Sequence, residues 1–167
     1  MRARTIELPT FKELIKIAPL KIQELLEKAK TTQQSKNWHP EGNLYIHEMI
    51  VCNRARRTKN INFLISGLLH DLGKVEATKF VNNKWSAHGH EFGSLRLVEK
   101  YKDWIENLGA NYDIVHYIVK NHMRVKQIHQ MRPSKRETFQ KEEYFPLANK
   151  FSDFDNMQID WENDIDE

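Results

Sequence analysis

The chain has 167 residues, 40% hydrophobic and 29% charged, which suits one domain with a buried core. Mean hydropathy is −0.71, and no apolar run nears the roughly 18 residues of a membrane span, so no membrane partner is expected. The formal net charge of +3 conceals an asymmetry. From Phe151 onward there are seven acids and no Lys or Arg, which leaves residues 1–150 with 26 basic against 16 acidic groups, or +10. A basic body favours phosphate-bearing ligands. The opening Met1-Arg2-Ala3-Arg4-Thr5-Ile6-Glu7 lacks the apolar stretch of a secretory leader. Cys52 is the only cysteine, which excludes an internal disulfide and suits a reducing, cytoplasmic setting.

Taken in order, the segments read almost entirely as helix. Thr10 caps a short helix carrying Phe11, Leu14 and Ile15, and Pro19 separates it from one through Ile22, Leu25 and Leu26. Residues 31–43 are a polar loop punctuated by Pro40 and Gly42. Asn43 opens a helix through Ile46, Ile50 and Val51 that ends on Arg54, Arg56 and Arg57, where cations suit the C-terminal dipole. Asn60 caps the next, whose Ile61, Phe63, Leu64, Ile65, Leu68 and Leu69 lead into His70-Asp71 and a stop near Gly73. A turn at Asn82-Asn83 between Lys79–Val81 and Lys84–Ser86 predicts a small β-hairpin.

Phe92, Leu95, Val98, Tyr101, Ile105 and Leu108 recur at helical spacing and predict one helix from His90 to Leu108, closed by Gly109. Asn111 caps a helix through Ile114, Val115, Ile118 and Val119 to His122. Pro133 interrupts, Ser134 with Glu137 predicts a capping box, and Pro146 opens a last helix through Phe151 and Phe154. The expected fold is an all-α, single-domain helical bundle with one small hairpin. N-terminal helices span 10–31, the core spans 35–157, and residues 158–167 form an acidic tail expected to be mobile and dispensable.

Chemistry concentrates where an imidazole and a carboxylate sit side by side at the end of an apolar helix. Burying either unpaired costs several kcal/mol, and a bound cation offsets both. His47, His70, Asp71, His90, His122 and an aspartate at 153 or 155 come from separate helices whose inward faces can bring them together. Imidazole and carboxylate without thiolate suits Mn, Fe, Co, Ni or Zn and excludes a structural zinc finger. Lys74, three residues after Asp71, is placed to offset charge on a phosphate. His88, His116 and His129 fall outside the pattern. Helical counting does not choose between Asp153 and Asp155.

The order His47, then His70-Asp71, then a late Asp resembles the HD superfamily of metal-dependent phosphohydrolases. The stretches WHPEGNLYIHEMIV (38–51), HDLGK (70–74) and HGHEFGSLRLVEKY (88–101) are similar to the HD domain attached to bacterial CCA-adding tRNA nucleotidyltransferases. The resemblance covers about residues 35–157 and is most specific in its first half. It implies His47, His70, Asp71 and Asp153 as metal ligands, the Ser152-Asp153 step resembling an Ala-Asp step of the related domains. It places His90 and His122 at a second metal or the substrate phosphate. It also gives catalytic parts to Asp71, Lys74 and His90, with Asp71 accepting a proton from the attacking water. The resembling stretches take in nothing of the nucleotidyltransferase domain, so they do not imply tRNA end synthesis.

The expected activity is hydrolysis of a phosphomonoester or phosphodiester, of a nucleotide or an RNA end, with a divalent transition metal. One alternative is a non-catalytic nucleotide- or RNA-binding module that uses Arg54, Arg56, Arg57, Lys120, Arg124 and Lys126 for phosphate contacts. The other is a structural helical protein with fortuitous histidines.

Overall fold

Residues 7–156 and 158–165 are described in a computed structural model of the chain. Thr10 and Glu13 form a reciprocal capping box that starts α1 (Phe11–Ile17), and α2 (Leu20–Ala29) follows Pro19. Asn43 and Asn60 accept backbone N–H groups at the starts of α3 (Leu44–Arg57) and α4 (Ile61–Leu69). A tight turn over 70–73 leads into the single-turn α5 (Lys74–Ala77). The hairpin β1 (Lys79–Val81) and β2 (Lys84–Ser86) is antiparallel, with Phe80 opposite Trp85. Both residues of its turn, Asn82 and Asn83, take positive φ (52° and 59°), as a two-residue hairpin of right-handed twist requires.

The remaining helices are α6 (His90–Lys100), α7 (Lys102–Asn107), α8 (Tyr112–Lys126), α9 (Pro133–Gln140) and α10 (Phe145–Ser152), with a short 3-10 turn at Ile128–Gln130. The protein is therefore all-α with one small hairpin. Among the described residues no helix is long and apolar enough to cross a membrane. At the centre α3 packs along α4, and α8 packs against α4, α6 and α10. Two apolar clusters result. One joins Phe11, Leu14, Ile22, Leu26, Leu64, Leu68, Val98, Ile105 and Val115, and the other joins Val51, Phe63, Ile118, Phe139, Phe145, Phe151 and Phe154.

Two local expectations are corrected. The helix predicted over His90–Leu108 is two helices, divided at Tyr101 (φ −106°, ψ 30°). The change of direction carries Trp104 to the end of α1, where its indole N–H donates to Ile17 O at 3.2 Å; Phe92, at an apolar position of the pattern, is exposed. The Ser134–Glu137 capping box does not form. Pro133 already occupies the first turn of α9 behind Arg132, and a proline there has no N–H to cap.

The acidic tail, expected to be mobile and dispensable, makes specific contacts. Asp164 is buried, and its two carboxylate oxygens accept from Arg54 (3.0 and 2.8 Å) and Arg57 (2.6 Å) at the end of α3. Asn53 Nδ2 donates to Asp164 O at 2.8 Å, and Ile165 packs on the first apolar cluster. Residues 158–165 are thus docked by charge, although Trp161 is exposed. Asp166 and Glu167 lie outside the described residues.

Candidate metal centre

The site begins with the close approach of two backbones. Gly73 lies so near the start of α6 that a Cβ there would be 2.0 Å from His90 O and 2.7 Å from Ser94 N. Gly73 N donates to Ser94 Oγ at 2.8 Å. Its φ of −59° is ordinary, so the requirement for glycine is one of space. This contact places His90, the first residue of α6, beside Asp71. His47 arrives from α3, His70 from the end of α4, and His122 from α8.

All four of these histidines have the same bonding pattern. Nδ1 of His70, His90 and His122 lies 2.8, 3.0 and 2.7 Å from the backbone oxygens of Gly67, Ala87 and Val119. Nδ1 of His47 lies 2.8 Å from Glu41 Oε1. A carbonyl oxygen only accepts, so Nδ1 carries the proton in those three rings, and in a neutral imidazole Nε2 is then a lone-pair donor. The Nε2 atoms turn inward. His47 and His70 face each other at 3.3 Å, and His90 and His122 at 3.2 Å.

Asp71 sits between the two pairs. Its Oδ2 is 3.0 and 3.2 Å from His47 and His70 Nε2, and its Oδ1 is 2.8 and 3.3 Å from His90 and His122 Nε2. Asp155 closes the first group, 3.1 Å from His47 and 3.7 Å from His70. Two sets of ligand atoms thus share Asp71: His47, His70, Asp71 and Asp155, and Asp71, His90 and His122. Asp71 Oδ2 and both Asp155 oxygens have no aligned hydrogen-bond donor despite these short distances. Inward lone pairs facing buried carboxylates repel unless a cation or protons lie between them, so this cluster can hold a metal ion.

The electrostatics carry the same tension. Burial opposes charge on His47, yet Asp155, Asp71 and Glu41 outweigh it and hold the imidazole pKa up at about 10. His70 is likewise raised against its burial by Asp71, Glu48 and Asp155. Burial instead prevails at His122 and lowers it, with Asp71 opposing. Burial also disfavours charge on Asp71 and Asp155, but the facing cations hold both carboxyls well below the usual range: chiefly His70 and Lys74 for Asp71, and Lys126 and His70 for Asp155. Protons held on His47 and His70 thus offset the carboxylates here, a part that a metal ion could take over.

Asp153 is not brought to the cluster. It is exposed, with Oδ2 3.4 Å from Lys150 Nζ. Its neighbour Asp155 is buried, with Oδ2 2.7 Å from Lys126 Nζ. The reason is local: α10 ends at Ser152, and Phe154 N bonds back to Phe151 O in a turn. Helical counting therefore does not apply to residue 155, and burial of Phe154 carries the next side chain inward. Lys74 is buried, with Nζ 3.1 Å from Asp71 Oδ2 and 3.0 Å from Gln34 Oε1. His88 and His116 stay outside the cluster, His116 pairing with Glu99.

Sequence reasoning passed over His39, Glu41 and Glu48. Glu41 accepts from both His47 and His39 (2.8 and 2.9 Å). Burial would raise its pKa, but the two rings draw it down to about 2. The HPE step in the loop before α3 was the available signal. Glu48 is fully buried, 3.9 Å from His70 Nδ1 and without a hydrogen-bond partner. Burial lifts its pKa to about 8, and nothing in its helix marks it out.

A cavity of about 490 Å³ opens beside the cluster, with His39, Lys74, His90 and Lys126 in its wall. Most cations named for a binding module are engaged elsewhere: Arg54 and Arg57 on the tail, Arg56 on Leu8 O, and Arg124 on Asn121 and the Phe139 ring. Compared with known proteins, the chain matches no family model and no solved structure.

Proposed function

We propose that the protein is an HD-type metal-dependent phosphohydrolase that cleaves a phosphomonoester or phosphodiester of a nucleotide or an RNA end. The observation that carries this reading is the convergence of four imidazole Nε2 atoms on two carboxylates beside a cation-lined cavity. The order of motifs supports it, with Asp155 in the place the resemblance gave to Asp153. His47, His70, Asp71 and Asp155 would hold one ion and Asp71, His90 and His122 a second, the donors suiting Mn, Fe, Co, Ni or Zn. Bound there, such ions lower the pKa of water and polarise a phosphoryl oxygen.

The chain's own residues supply orientation and charge. Glu41 and the three backbone carbonyls fix the imidazole tautomers. Lys74 and Lys126 touch Asp71 and Asp155 and also line the cavity, where their ammonium groups offset charge on a phosphate. His90 serves as a ligand in this reading and approaches the phosphate from the cavity wall. By the resemblance Asp71 would also accept the proton of the attacking water.

The test is elemental analysis of protein purified without chelator, followed by single-ion reloading and a panel of phosphate monoesters and diesters. Bound transition metal and turnover that Asp71→Ala abolishes are expected. Metal without turnover on any ester would transfer the reading to a binding module, and absence of metal would overturn it.

A further inference from the structure

The wall of the cavity is of two kinds. His39, Lys74, His90 and Lys126 border the metal cluster, whereas Trp38, from the loop before α3, and Trp85, from β2, bring aromatic surface. Among the described residues no carboxylate lines it. Both tryptophans are exposed, Trp38 at 68% and Trp85 at 38%. That is unusual for a side chain with so much apolar surface. Trp104 shows the ordinary alternative, packed on the first apolar cluster with its N–H bonded to Ile17 O. Trp85 also packs on its cross-strand partner Phe80, their ring centroids 5.0 Å apart.

We infer that Trp38 and Trp85 form a stacking subsite for the base of a nucleoside phosphate, so that the cavity selects a base-bearing phosphate over the same ester without a base. This rests on the reading of the cavity as a phosphate-ester site. Aromatic side chains stack on any base face, which gives affinity with little sequence preference. Gln127 and Gln130, also in the wall, carry amides that match the hydrogen-bonding edges of bases. A volume of about 490 Å³ falls in the range of small-molecule sites, about 300–1,000 Å³. The cationic lining favours the phosphate and the aromatic lining favours the base. A sugar phosphate or an inorganic anion would use only the first.

Binding in the presence of a chelator, where no ester is turned over, tests this. Equilibrium dialysis would compare adenosine 5′-monophosphate, ribose 5-phosphate and a single-stranded trinucleotide with a terminal phosphate, on wild type, Trp38→Ala, Trp85→Ala and Trp85→Phe. Preference of the wild type for the monophosphate over ribose 5-phosphate is expected, with a loss of roughly tenfold for each alanine variant. The affinity for ribose 5-phosphate should move less than twofold, and Trp85→Phe should recover most of the loss. Equal losses for both ligands, or none, would overturn the subsite; a Trp85→Ala protein with a broken hairpin still leaves Trp38→Ala and Trp85→Phe to decide. Tighter binding of the trinucleotide would identify a strand end as the source of the nucleotide, and equal binding a free mononucleotide. If nucleotide binding is tryptophan-dependent but no ester is hydrolysed, the subsite stands and the hydrolase reading falls.

Discussion

Asp71 and Asp155 are both buried carboxylates of one cluster, yet they reach it by different means. Asp71 lies two residues past the end of the largely apolar α4, and its turn is packed on α6 through Gly73. Asp155 lies past the end of α10 in a turn tied down from outside. Arg54 bonds the backbone oxygens of Phe154 (2.8 Å), Asn156 (3.5 Å) and Gln158, and also Asp164. One carboxylate is fixed by packing and the other by a charge network over one hundred residues away in sequence. The first kind is visible in a local motif and the second is not.

That contrast can be broken first at the ligands themselves. Asp155→Asn should lose metal at the first site, because one of only two carboxylates in the cluster is neutralised, whereas Asp153→Asn, on a solvated side chain, should retain it. Elemental analysis of both after dialysis decides, and the reverse outcome would restore Asp153 to the site. The packed side of the comparison is tested at Gly73. A methyl group at 2.0 Å from His90 O must push α6 away, at a cost of about 3 kcal/mol or more. Gly73→Ala should therefore melt about 10 °C lower and bind metal more weakly; a wild-type melting curve would show that α6 yields freely.

The charge-tied side is tested through the tail. Removing residues 159–167 takes away Asp164 and leaves Arg54, which is mostly buried, without its carboxylate. Losing one partner of such a pair costs about 3 kcal/mol, and the looser Asp155 segment should weaken metal binding several-fold. Thermal melting and metal titration of the truncated chain would show it. Unchanged values in both would return the tail to the dispensable status its composition suggests.

These regions also explain what was legible. Thr10, Asn43, Asn60 and Asn111 marked helix starts because a cap is a local bargain between one side chain and the next three residues. The hairpin was legible in Asn82-Asn83 for the same reason. His47, His70, Asp71, His90 and His122 come together in the structure as the motif order led one to expect. The break at Tyr101 was not legible, since Val98 and Ile105 keep their helical spacing across it. Nor was Asp155: the choice between two aspartates depended on where α10 stops, which packing of Phe154 decides. The contacts of the tail were not legible, because its acids resemble a solvated terminus and its partners, Arg54 and Arg57, lie in a distant helix whose basic end has its own local explanation.

The smallest effect, and the one that isolates the charge, is pH dependence at Asp164. Burial by itself would raise the pKa of this carboxyl, but hydrogen bonds from Arg54, Arg57 and the Asp160 N–H outweigh it and hold the group below its ordinary value. A depressed folded-state pKa means that the unfolded chain takes up the proton first as the solution is acidified. The stabilisation is therefore complete above the unfolded value, near 3.9, and is lost as the pH falls through the folded one. Asp164→Asn keeps the shape and removes the charge. At neutral pH it should cost roughly 1–2 kcal/mol, because Arg57 is half exposed and its share is screened. The gap between variant and wild type should then narrow below about pH 4. Urea melts of both proteins at a series of pH values read it directly, and taking the difference cancels most of the titration of the other carboxylates, which both chains share. A gap that persists undiminished into acid would mean that Asp164 holds the tail by shape and not by charge.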